Sequence, residues 1–386
     1  MNETVLFRPI QLRNLTLSNR IVVAPMCQYT AVKGIANDWH LQHLTSLSMS
    51  GAGLVVIEAT DVDPAGAFTK GCLALHSDES EKALEHIVYV CHQRGTAAIG
   101  LQLTHGGRKA SCNLPWESGG KPLTKDQGGW TTEAPSAISY DPSWPMPTAL
   151  DKNGLLRIRE AFAQATRRAA RAGLDSLELH AAHGYLLHQF LTPLSNRRTD
   201  IYGGGAQQRM RFPLEVFQAV REAWPADRPL GARISGNDWI EGGQTPDDAV
   251  AFAAALKELG CDFVCVSGGG LVPNPSIKAF AGYQVPFAAL VRAQTGMAVR
   301  AVGLISTPAQ AEGIVASGQA DMVALARAFL DDPRWAWHAA AELGATIAYP
   351  KQYERCHHAL WPGSKHFVAS DAYFQPDRFM PRGLGS

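Results

Sequence analysis

The sequence predicts a single (β/α)8 TIM barrel, and three observations lead to this prediction. Strand-like and helix-like segments alternate eight times along the 386 residues. The strands are short apolar runs of the kind that is buried on both faces of a parallel sheet. No segment of domain size is left outside this rhythm, and α/β barrels of this length are common as one domain. An open doubly wound sheet is the alternative, but the sequence contains neither a P-loop nor a G-x-G-x-x-G motif after the first strand.

The elements follow in a regular order after an N-terminal capping hairpin, which is predicted over residues 7–19. The first two strands, RIVVAPM and LVVIEAT, are rich in β-branched residues. Glycines close most helices, Asn37 or Asp38 is an N-cap, and Thr307 is another, followed by Pro308 at the first helical position. The predicted strands cover residues 20–26, 54–60, 97–103, 176–180, 230–235, 263–267, 299–304 and 322–326. The predicted helices cover residues 38–50, 79–94, 155–172, 207–223, 245–259, 287–295, a segment from 307, and 333–343.

The composition gives no reason to expect a nucleic-acid or membrane partner. The 35 basic residues are balanced by 35 acidic residues, so the chain has no net attraction for a polyanion. No apolar run is long enough for a transmembrane helix, and the start, MNETVLFRPI, lacks the features of a signal peptide. Seven scattered cysteines predict mostly buried, reduced thiols. We therefore expect a cytoplasmic protein that acts on small molecules.

Polar, titratable residues are concentrated in the stretch 176–204. A short apolar strand leads directly into His180, His183 and Tyr185. This pattern favours a catalytic strand end, since barrel enzymes carry their active sites at the carboxyl ends of the strands. Taken alone, it also fits two hydrogen-bonded core histidines, or half of a zinc site, although no Glu or Cys lies nearby at the usual zinc spacing.

Small or polar residues stand at the end of most other predicted strands. In chain order these are residues 24–29, Ala59, Gln102 with His105, Arg233, Gly303, and Ala326 with Arg327. Gly303, followed by the helix that begins near Thr307, lets backbone N–H groups approach an anion, and Arg327 adds a positive charge. This group predicts a phosphorylated ligand, although a surface salt bridge explains Arg327 alone equally well.

One long segment, residues 104–151, interrupts the rhythm after strand three. It contains Pro, Gly and three Trp residues and shows little helical pattern. Because it leaves the barrel on the face where active sites lie, we expect an active-site lid, with an insertion of no function as the alternative.

Several stretches together resemble one known family. They are RIVVAPMCQYT (20–30), NDWH (37–40), LVVIEAT (54–60), QLTHGGRKA (102–110), ELHAAHGYLLHQFLTPLSNRRTDIYGG (178–204) and ALARAFLDDP (324–333). The sequence from Phe7 to about Asp332 resembles the old yellow enzyme family of FMN-dependent ene-reductases. The cysteine in the first stretch and QYER at 352–355 point to its bacterial branch of xenobiotic reductases and thermophilic-like enzymes.

The resemblance implies FMN, bound tightly and non-covalently, and the residues that hold it. Gln102 and Arg233 are expected at the pyrimidine edge of the flavin, where the arginine cation stabilises the anionic reduced form. The further residues expected to line the ring or hold the phosphate are Ala24, Pro25, Met26, Cys27, Ala59, Gly303, Ala326 and Arg327. Cys27 is also expected to tune the redox behaviour of the flavin.

The resemblance also implies the reaction. His180 and His183 are expected to donate hydrogen bonds to the carbonyl oxygen of an activated alkene, with Tyr29 contacting the same oxygen. Tyr185 is expected to protonate the α-carbon after hydride reaches the β-carbon. NADPH or NADH would first reduce the flavin at the same open face, which agrees with the missing glycine fingerprint. Expected substrates are α,β-unsaturated ketones, aldehydes, maleimides and nitro compounds.

We expect one FMN-binding barrel domain over residues 1–345 and a tail over residues 346–386. In the tail, the resemblance implies that Arg355 reaches the substrate site of a neighbouring subunit in a homodimer or homotetramer. Two other functions remain open. One is a flavin barrel that performs amine demethylation or dienoyl-CoA reduction, although such enzymes usually carry further cluster-binding and nucleotide domains. The other is a metal-dependent barrel that uses His180 and His183 as ligands.

Overall fold

The computed structural model describes residues 4–357 and 359–364, and it shows a closed barrel of eight parallel strands surrounded by helices. The predicted fold class is confirmed. Its strands are β1 (Ile10–Leu12), β2 (Leu15–Leu17), β3 (Ile21–Val23), β4 (Leu54–Asp61), β5 (Ala98–Thr104), β6 (Glu133–Ala134), β7 (Thr148–Ala149), β8 (Ser176–Ala181), β9 (Leu230–Ser235), β10 (Phe263–Ser267), β11 (Ala298–Ala301) and β12 (Met322–Leu325). Its helices are α1 (Asp38–Ser48), α2 (Asp78–Arg94), α3 (Lys152–Arg171), α4 (Leu186–Leu191), α5 (Ala206–Ala223), α6 (Pro246–Glu258), α7 (Val285–Thr295), α8 (Pro308–Ala316), α9 (Arg327–Asp331) and α10 (Trp335–Leu343).

The barrel strands follow one another in the order β3, β4, β5, β8, β9, β10, β11 and β12, and β12 pairs back with β3. The capping hairpin is the antiparallel pair β1–β2. Leu12 and Leu17 of this hairpin pack against apolar residues inside the barrel, including Leu54 and Met322. The hairpin therefore closes the end from which the barrel strands start, and the opposite end stays available for a site.

Two barrel strands end three residues earlier than the sequence predicts. The ladder of β3 stops at Val23, close to Pro25, which has no N–H to donate to a neighbouring strand. The strand β11 stops at Ala301, because Gly303 and Leu304 have φ angles of 110° and 52°, which are incompatible with a strand. The short helices α4 and α9 are not predicted, since one or two turns are too short to show a helical period.

The predicted N-caps are confirmed. The side chain of Asn37 accepts a hydrogen bond from the N–H of Trp39, and α1 follows it. Thr307 accepts from the N–H of Gln310, and Pro308 occupies the first turn of α8. Each cap satisfies a backbone donor that the helix itself leaves unpaired.

The inside of the barrel has two levels. Near the hairpin it is filled by apolar side chains, among them Val22, Leu54, Phe263 and Met322. Nearer the carboxyl ends of the strands, β5, β8, β9 and β11 carry polar and charged side chains, and these are Gln102, Glu178, His180, Arg233 and Arg300. A purely structural barrel interior is usually filled by bulky aliphatic residues. The polar level therefore marks this end of the barrel as the functional one.

The loop over residues 104–151 is partly ordered by its own contacts. Its strands β6 and β7 pair with each other, and the indole N–H of Trp130 donates to the carbonyl oxygen of Ala65 at 3.2 Å. The ring of Trp116, which is largely exposed, meets the ring of Tyr29 edge-on with 5.8 Å between the ring centres. The loop thus borders the carboxyl end of the barrel, as its prediction as a lid requires.

Beyond the barrel, a 3-10 helix covers Lys351–Cys356 and another covers Pro362–Ser364. The tail is predicted over residues 346–386, and residues 358 and 365–386 of it lie outside the described residues. In the described part of the chain, no helix is long and apolar enough to cross a membrane.

Candidate active site

A cavity of about 520 Å³ opens at the carboxyl ends of β3 and of β9 to β12. Ala24, Val302 and Ala324, at the ends of three of these strands, are small enough to leave the space free. The side chains of Arg233, Ser267 and Gln284 and the backbone from Gly303 to Ser306 form the rest of the wall, together with Ala326, Arg327 and Tyr283. A cavity of this size fits a drug-sized or cofactor-sized molecule.

The cavity wall carries two arginines, which suit an anionic ligand. Arg233 points into the cavity from β9, and its buried Nε has no hydrogen-bond partner among the described residues. Since an unpaired buried donor is costly, it indicates a ligand acceptor at this place. Arg327 lines the same cavity at the start of α9. At Gly303, whose φ is 110°, a Cβ would lie 3.0 Å from that of Gln284, so the backbone can approach a ligand only with glycine there.

The turn after β8 is strained and held firmly. His183 has a φ angle of 58°, which is rare for a residue with a side chain, and Gly184 follows with 72°. The ring of His188 accepts from the N–H of Gly184 at 2.8 Å, and the amide of Gln189 donates to the carbonyl oxygen of the same glycine at 2.8 Å. A Cβ on Gly184 would lie 2.3 Å from the carbonyl oxygen of Gly270. The fold thus fixes His183 in a conformation that it would not adopt by itself.

The rings of His180 and His183 meet edge-on, with 3.3 Å between Nε2 of His180 and Nδ1 of His183. The N–H of Ala182 donates to Nδ1 of His180 at 3.2 Å, so the neutral ring of His180 carries its proton on Nε2. That proton points to Nδ1 of His183. His183 then carries its own proton on Nε2, which lies 2.7 Å from the hydroxyl of Ser267.

Both histidines are neutral near pH 7. Burial lowers the pKa of His180 well below its usual value, and the nearby Arg233 cation lowers it further. The same two causes, in the same order, hold the pKa of His183 well below its usual value. Neutral imidazoles in this place act as hydrogen-bond donors and acceptors rather than as cations.

Tyr185 lies beside both histidines, with 4.9 Å from its ring centre to that of His180 and 6.5 Å to that of His183. The ring of Phe68 stacks on the Tyr185 ring with 4.2 Å between the ring centres. The ammonium group of Lys109 lies 5.0 Å from the centre of the Tyr185 ring and donates to the carbonyl oxygen of His183 at 2.9 Å. Burial raises the pKa of Tyr185 well above its usual value, so the phenol holds its proton.

Cys27 and Tyr29, which follow β3, pack against the same small apolar cluster as Tyr185, formed by Ala59, Phe68 and Cys72. Burial, followed by Glu58, raises the pKa of the Cys27 thiol well above its usual value. Burial, followed by the Cys27 neighbour, raises the pKa of Tyr29 in the same direction. Cys27 therefore stands beside the site as a neutral thiol, not as a nucleophilic thiolate.

Gln102 does not line the cavity wall but lies inside the barrel. Its amide N–H donates to Glu178 at 2.7 Å, and Glu178 also accepts from Arg300 at 2.9 Å. Met26 packs against the core outside the barrel, on the side of α1. The structure thus brings His180, His183, Tyr185, Cys27 and Tyr29 together, and it brings Arg233, Gly303, Ala326 and Arg327 together around the cavity.

Two polar residues from the sequence analysis lie elsewhere. His105 is turned toward Asp63 and Glu133, and these three residues are the one grouping with metal-ligand spacing among the described residues. Arg157 already bridges the two carboxylates of this grouping. Neither His180 nor His183 belongs to it. Arg355 is exposed in the 3-10 helix after the barrel and does not line the cavity of its own chain.

Some residues of the site escape sequence reasoning. Ser267 ends β10 as a polar residue, the same signal that marks His180 on β8, so the strand-end argument could have found it. Lys109 belongs to QLTHGGRKA, one of the stretches that resemble the family, but no role follows from its position alone. Phe68 comes from the connection after β4, and no sequence signal links it to Tyr185.

The chain belongs to the NADH:flavin oxidoreductase / NADH oxidase family, whose model matches residues 5–345. The NADPH dehydrogenase of Geobacillus thermodenitrificans (strain NG80-2) is 43% identical over 355 residues, which cover 92% of this chain and 98% of that protein. The NADPH dehydrogenase of Listeria welshimeri serovar 6b is 42% identical over 352 residues, which cover 91% and 98%. The resemblance to the old yellow enzymes is thereby confirmed. The protein is an FMN-dependent NADPH oxidoreductase.

Solved structures agree with this assignment. Morphinone reductase in complex with tetrahydroNAD is 28% identical, with a TM-score of 0.72 over 90% of this chain and 92% of that chain. A 2-naphthoyl-CoA reductase in complex with 2-naphthoyl-CoA has a TM-score of 0.79 over 88% of this chain at 22% identity. This chain spans 52% of that reductase, and at such identity the likeness shows the fold alone.

Proposed function

We propose that this enzyme reduces the C=C bond of activated alkenes, such as α,β-unsaturated ketones and aldehydes, maleimides and nitroalkenes. The observation that carries the proposal is the close pair of imidazole nitrogens of His180 and His183, 3.3 Å apart, with the Tyr185 phenol beside both rings. The reaction needs hydrogen-bond donors for the oxygen of the substrate and a proton donor for its α-carbon. The two imidazoles offer the hydrogen-bond donors, and the phenol offers the proton.

FMN supplies the hydride when it is bound. The cavity fits this cofactor, because it combines small residues that leave room for a ring with two arginines that suit the electron-rich ring edge and the phosphate. Arg233 would contact the edge of the flavin ring, and Arg327 and the backbone at Gly303 would bind the phosphate. The other residues proposed to contact the cofactor are Ala24, Pro25, Met26, Cys27, Ala59, Gln102 and Ala326.

His180 and His183 hold the carbonyl oxygen of the substrate. Two N–H groups cannot point at each other, so in the free site one of the two nitrogens that face each other acts as an acceptor. When an oxygen enters between them, His183 moves its proton from Nε2 to Nδ1, and the hydroxyl of Ser267 turns to donate to Nε2. Both rings then donate to the oxygen and stabilise the negative charge that develops there. Tyr29 contacts the same oxygen from the side of β3.

Tyr185 delivers the proton to the α-carbon. Its pKa is raised by burial, so the phenol is fully protonated at neutral pH, and the Lys109 ammonium 5.0 Å from the ring stabilises the phenolate left behind. Lys109 keeps this place because it also donates to the carbonyl oxygens of His183 and Gly270, both at 2.9 Å.

The decisive experiment measures the two half-reactions of Tyr185→Phe separately under anaerobic conditions. Reduction of the bound FMN by NADPH is expected to keep its wild-type rate, because the phenol proton takes no part in it. Reoxidation by cyclohexenone is expected to slow about 10²- to 10⁴-fold, the usual effect of losing a general acid. Both rates are followed by the absorbance of the flavin.

Tyr140 offers a matched control, since its ring centre lies 4.9 Å from the same Lys109 ammonium. Tyr140→Phe is expected to leave the reoxidation rate within about twofold of wild type. Equal slowing of both half-reactions in Tyr185→Phe, or equal slowing by the two variants, would contradict the role of Tyr185. If no enone, maleimide or nitroalkene reoxidises the wild-type enzyme, the substrate class itself is wrong.

We also propose that the enzyme assembles as a homodimer or homotetramer in which Arg355 reaches the substrate site of a neighbour. The support is that Arg355 is exposed on a 3-10 helix outside the barrel, so it is available to another subunit. The barrel over residues 1–345 then forms the FMN-binding domain, and the tail that follows contributes to the assembly.

A further inference from the structure

Below the cavity, three buried polar side chains form a connected chain inside the barrel. The amide N–H of Gln102 on β5 donates to Oε1 of Glu178 on β8 at 2.7 Å. Arg300 on β11 donates to Oε2 of Glu178 at 2.9 Å, and its guanidinium lies 4.6 Å from the ring centre of Phe263. The exposed fractions of Gln102, Glu178 and Arg300 are 2%, 1% and 0%. With so little contact with water, the partners decide how each group orients.

The chemistry of these groups fixes the direction of every hydrogen bond. A guanidinium group only donates and a carboxylate only accepts, so Glu178 must receive N–H groups on both sides. Gln102 therefore has to turn its NH2 group toward Glu178. Its carbonyl oxygen is left facing away from Glu178, and among the described residues it accepts no hydrogen bond.

We propose that Arg300 and Glu178 are positioning residues that determine which end of the Gln102 amide meets FMN. This inference rests on the proposed contact between Gln102 and the pyrimidine edge of the flavin. Glu178 makes Gln102 offer its oxygen, an acceptor, which suits a flavin N–H group. A donor in the same place would favour the electron-rich reduced flavin instead. The pair thus lowers the affinity for reduced FMN relative to oxidised FMN.

Glu178→Gln tests this directly, because the new amide has nearly the same shape but only one acceptor oxygen. Arg300 still requires an acceptor and takes that oxygen, so the new NH2 group faces Gln102. Gln102 must then turn its own oxygen toward position 178 and offer its NH2 group to FMN. The substitution is expected to invert the amide of Gln102 while the fold remains intact.

Two measurements on the FMN-loaded enzyme report the inversion. The ratio of affinities for reduced and oxidised FMN is expected to rise about tenfold, which raises the midpoint potential by about 30 mV for a two-electron couple. In the Raman spectrum, a flavin carbonyl stretch is expected to shift to lower wavenumber, because it gains an N–H donor. The loss of a negative charge alone also raises the potential, but it adds no hydrogen bond. A raised potential with an unchanged carbonyl stretch therefore overturns the proposal, as does an unchanged potential.

Two further variants separate the possible failures. Gln102→Leu is expected to change the midpoint potential and the affinity for FMN. If the potential and the affinity equal those of wild type, Gln102 does not contact FMN, and the proposed contact and this inference are wrong together. If Gln102→Leu changes them but Glu178→Gln leaves the wild-type values, only the positioning role fails.

Two further variants in the same part of the barrel serve as controls for a loss of stability. Phe263→Leu removes the ring against which the Arg300 guanidinium packs, but it leaves the hydrogen bonds among Gln102, Glu178 and Arg300 in place. It is expected to lower the melting temperature while the flavin carbonyl stretch stays at its wild-type frequency. If Glu178→Gln does not fold, Glu178→Gln combined with Arg300→Met removes both buried charges, a change that is often neutral for stability. The new amide can then offer either end, so the carbonyl stretch is expected to broaden toward lower wavenumber. A wild-type spectrum of this double variant overturns the proposal.

Discussion

Removal of the Ser267 hydroxyl is expected to weaken the binding of an oxygen ligand between the two histidines without abolishing it. In the free site, Nε2 of His183 donates to Ser267 at 2.7 Å, and Ser267 in turn donates to Oε1 of Gln284 at 3.5 Å. When His183 switches its proton to Nδ1 to hold a ligand oxygen, its Nε2 becomes an acceptor and needs a donor. Ser267 is the side chain within reach that can turn to provide one.

The expected size of the effect follows from this geometry. In Ser267→Ala, the bound state leaves an acceptor nitrogen without its partner in a largely buried place, which costs about 1–3 kcal/mol. This cost corresponds to a dissociation constant about 5- to 150-fold higher. The assay is a titration of the oxidised, FMN-loaded enzyme with a small phenol, whose ionised oxygen can accept two hydrogen bonds, followed by the flavin absorbance.

Ser235→Ala is the matched control. The hydroxyl of Ser235 accepts from the backbone N–H of His183 at 3.3 Å, so it contacts the same residue but has no influence on the ring proton. Its phenol affinity is expected to remain within about twofold of wild type. If Ser267→Ala retains FMN and binds phenol as tightly as wild type, the proton switch at His183 is refuted. If both serine variants weaken phenol binding equally, the substitutions disturb the turn that carries His183 and not the hydrogen bond of its ring.

Three further predictions concern stability, the phosphate side and the tail. Burial lowers the pKa of His105 to about 4, so the unfolded chain binds more protons than the folded protein between pH 6.5 and 4. The free energy of unfolding therefore falls by about 3 kcal/mol as the pH falls through this window. In urea unfolding curves, His105→Asn is expected to flatten the dependence of this free energy on pH, and an unchanged dependence would contradict the prediction. Gly303→Ala, at φ 110°, is expected to weaken FMN binding at least about tenfold by fluorescence titration, whereas Gly313→Ala, whose Cβ meets nothing within 4 Å, is expected to match wild type. Arg355→Ala is expected to raise the KM for the alkene with the FMN content unchanged; if activity, affinity and oligomeric state all stay the same, the contact with a neighbour is wrong.

The barrel could be predicted from the sequence because each strand and helix carries its own local signal. The run LVVIEAT predicts β4 whatever surrounds it, and Thr307 with Pro308 predicts the start of α8. The ends of β3 and β11 are less local. They depend on whether each residue finds a ladder partner, and the positive φ angles of Gly303 and Leu304 are imposed by the turn that follows.

The site was predictable to the extent that position on a strand determines direction. Residues two apart on a strand point to the same side, so His180 and Glu178 both enter the barrel from β8. His105 follows β5 after Thr104, where this alternation ends, and its ring turns to Asp63 and Glu133 instead. A polar residue near a strand end is therefore a good candidate only while it still belongs to the strand.

What a single strand cannot encode is the polarity of a hydrogen bond. An amide such as that of Gln102 can offer either its NH2 group or its oxygen. Glu178 determines which of the two faces it, and Glu178 itself is held by a hydrogen bond from Arg300, 122 residues further along the chain. These three residues come from β5, β8 and β11, and each looks on its own strand like an isolated polar residue in an apolar run. The fold that places them on one level of the barrel turns three separate side chains into one group with a fixed direction. For this reason the sequence could suggest that Gln102 contacts the flavin, but only the assembled barrel determines whether it does so as a donor or as an acceptor.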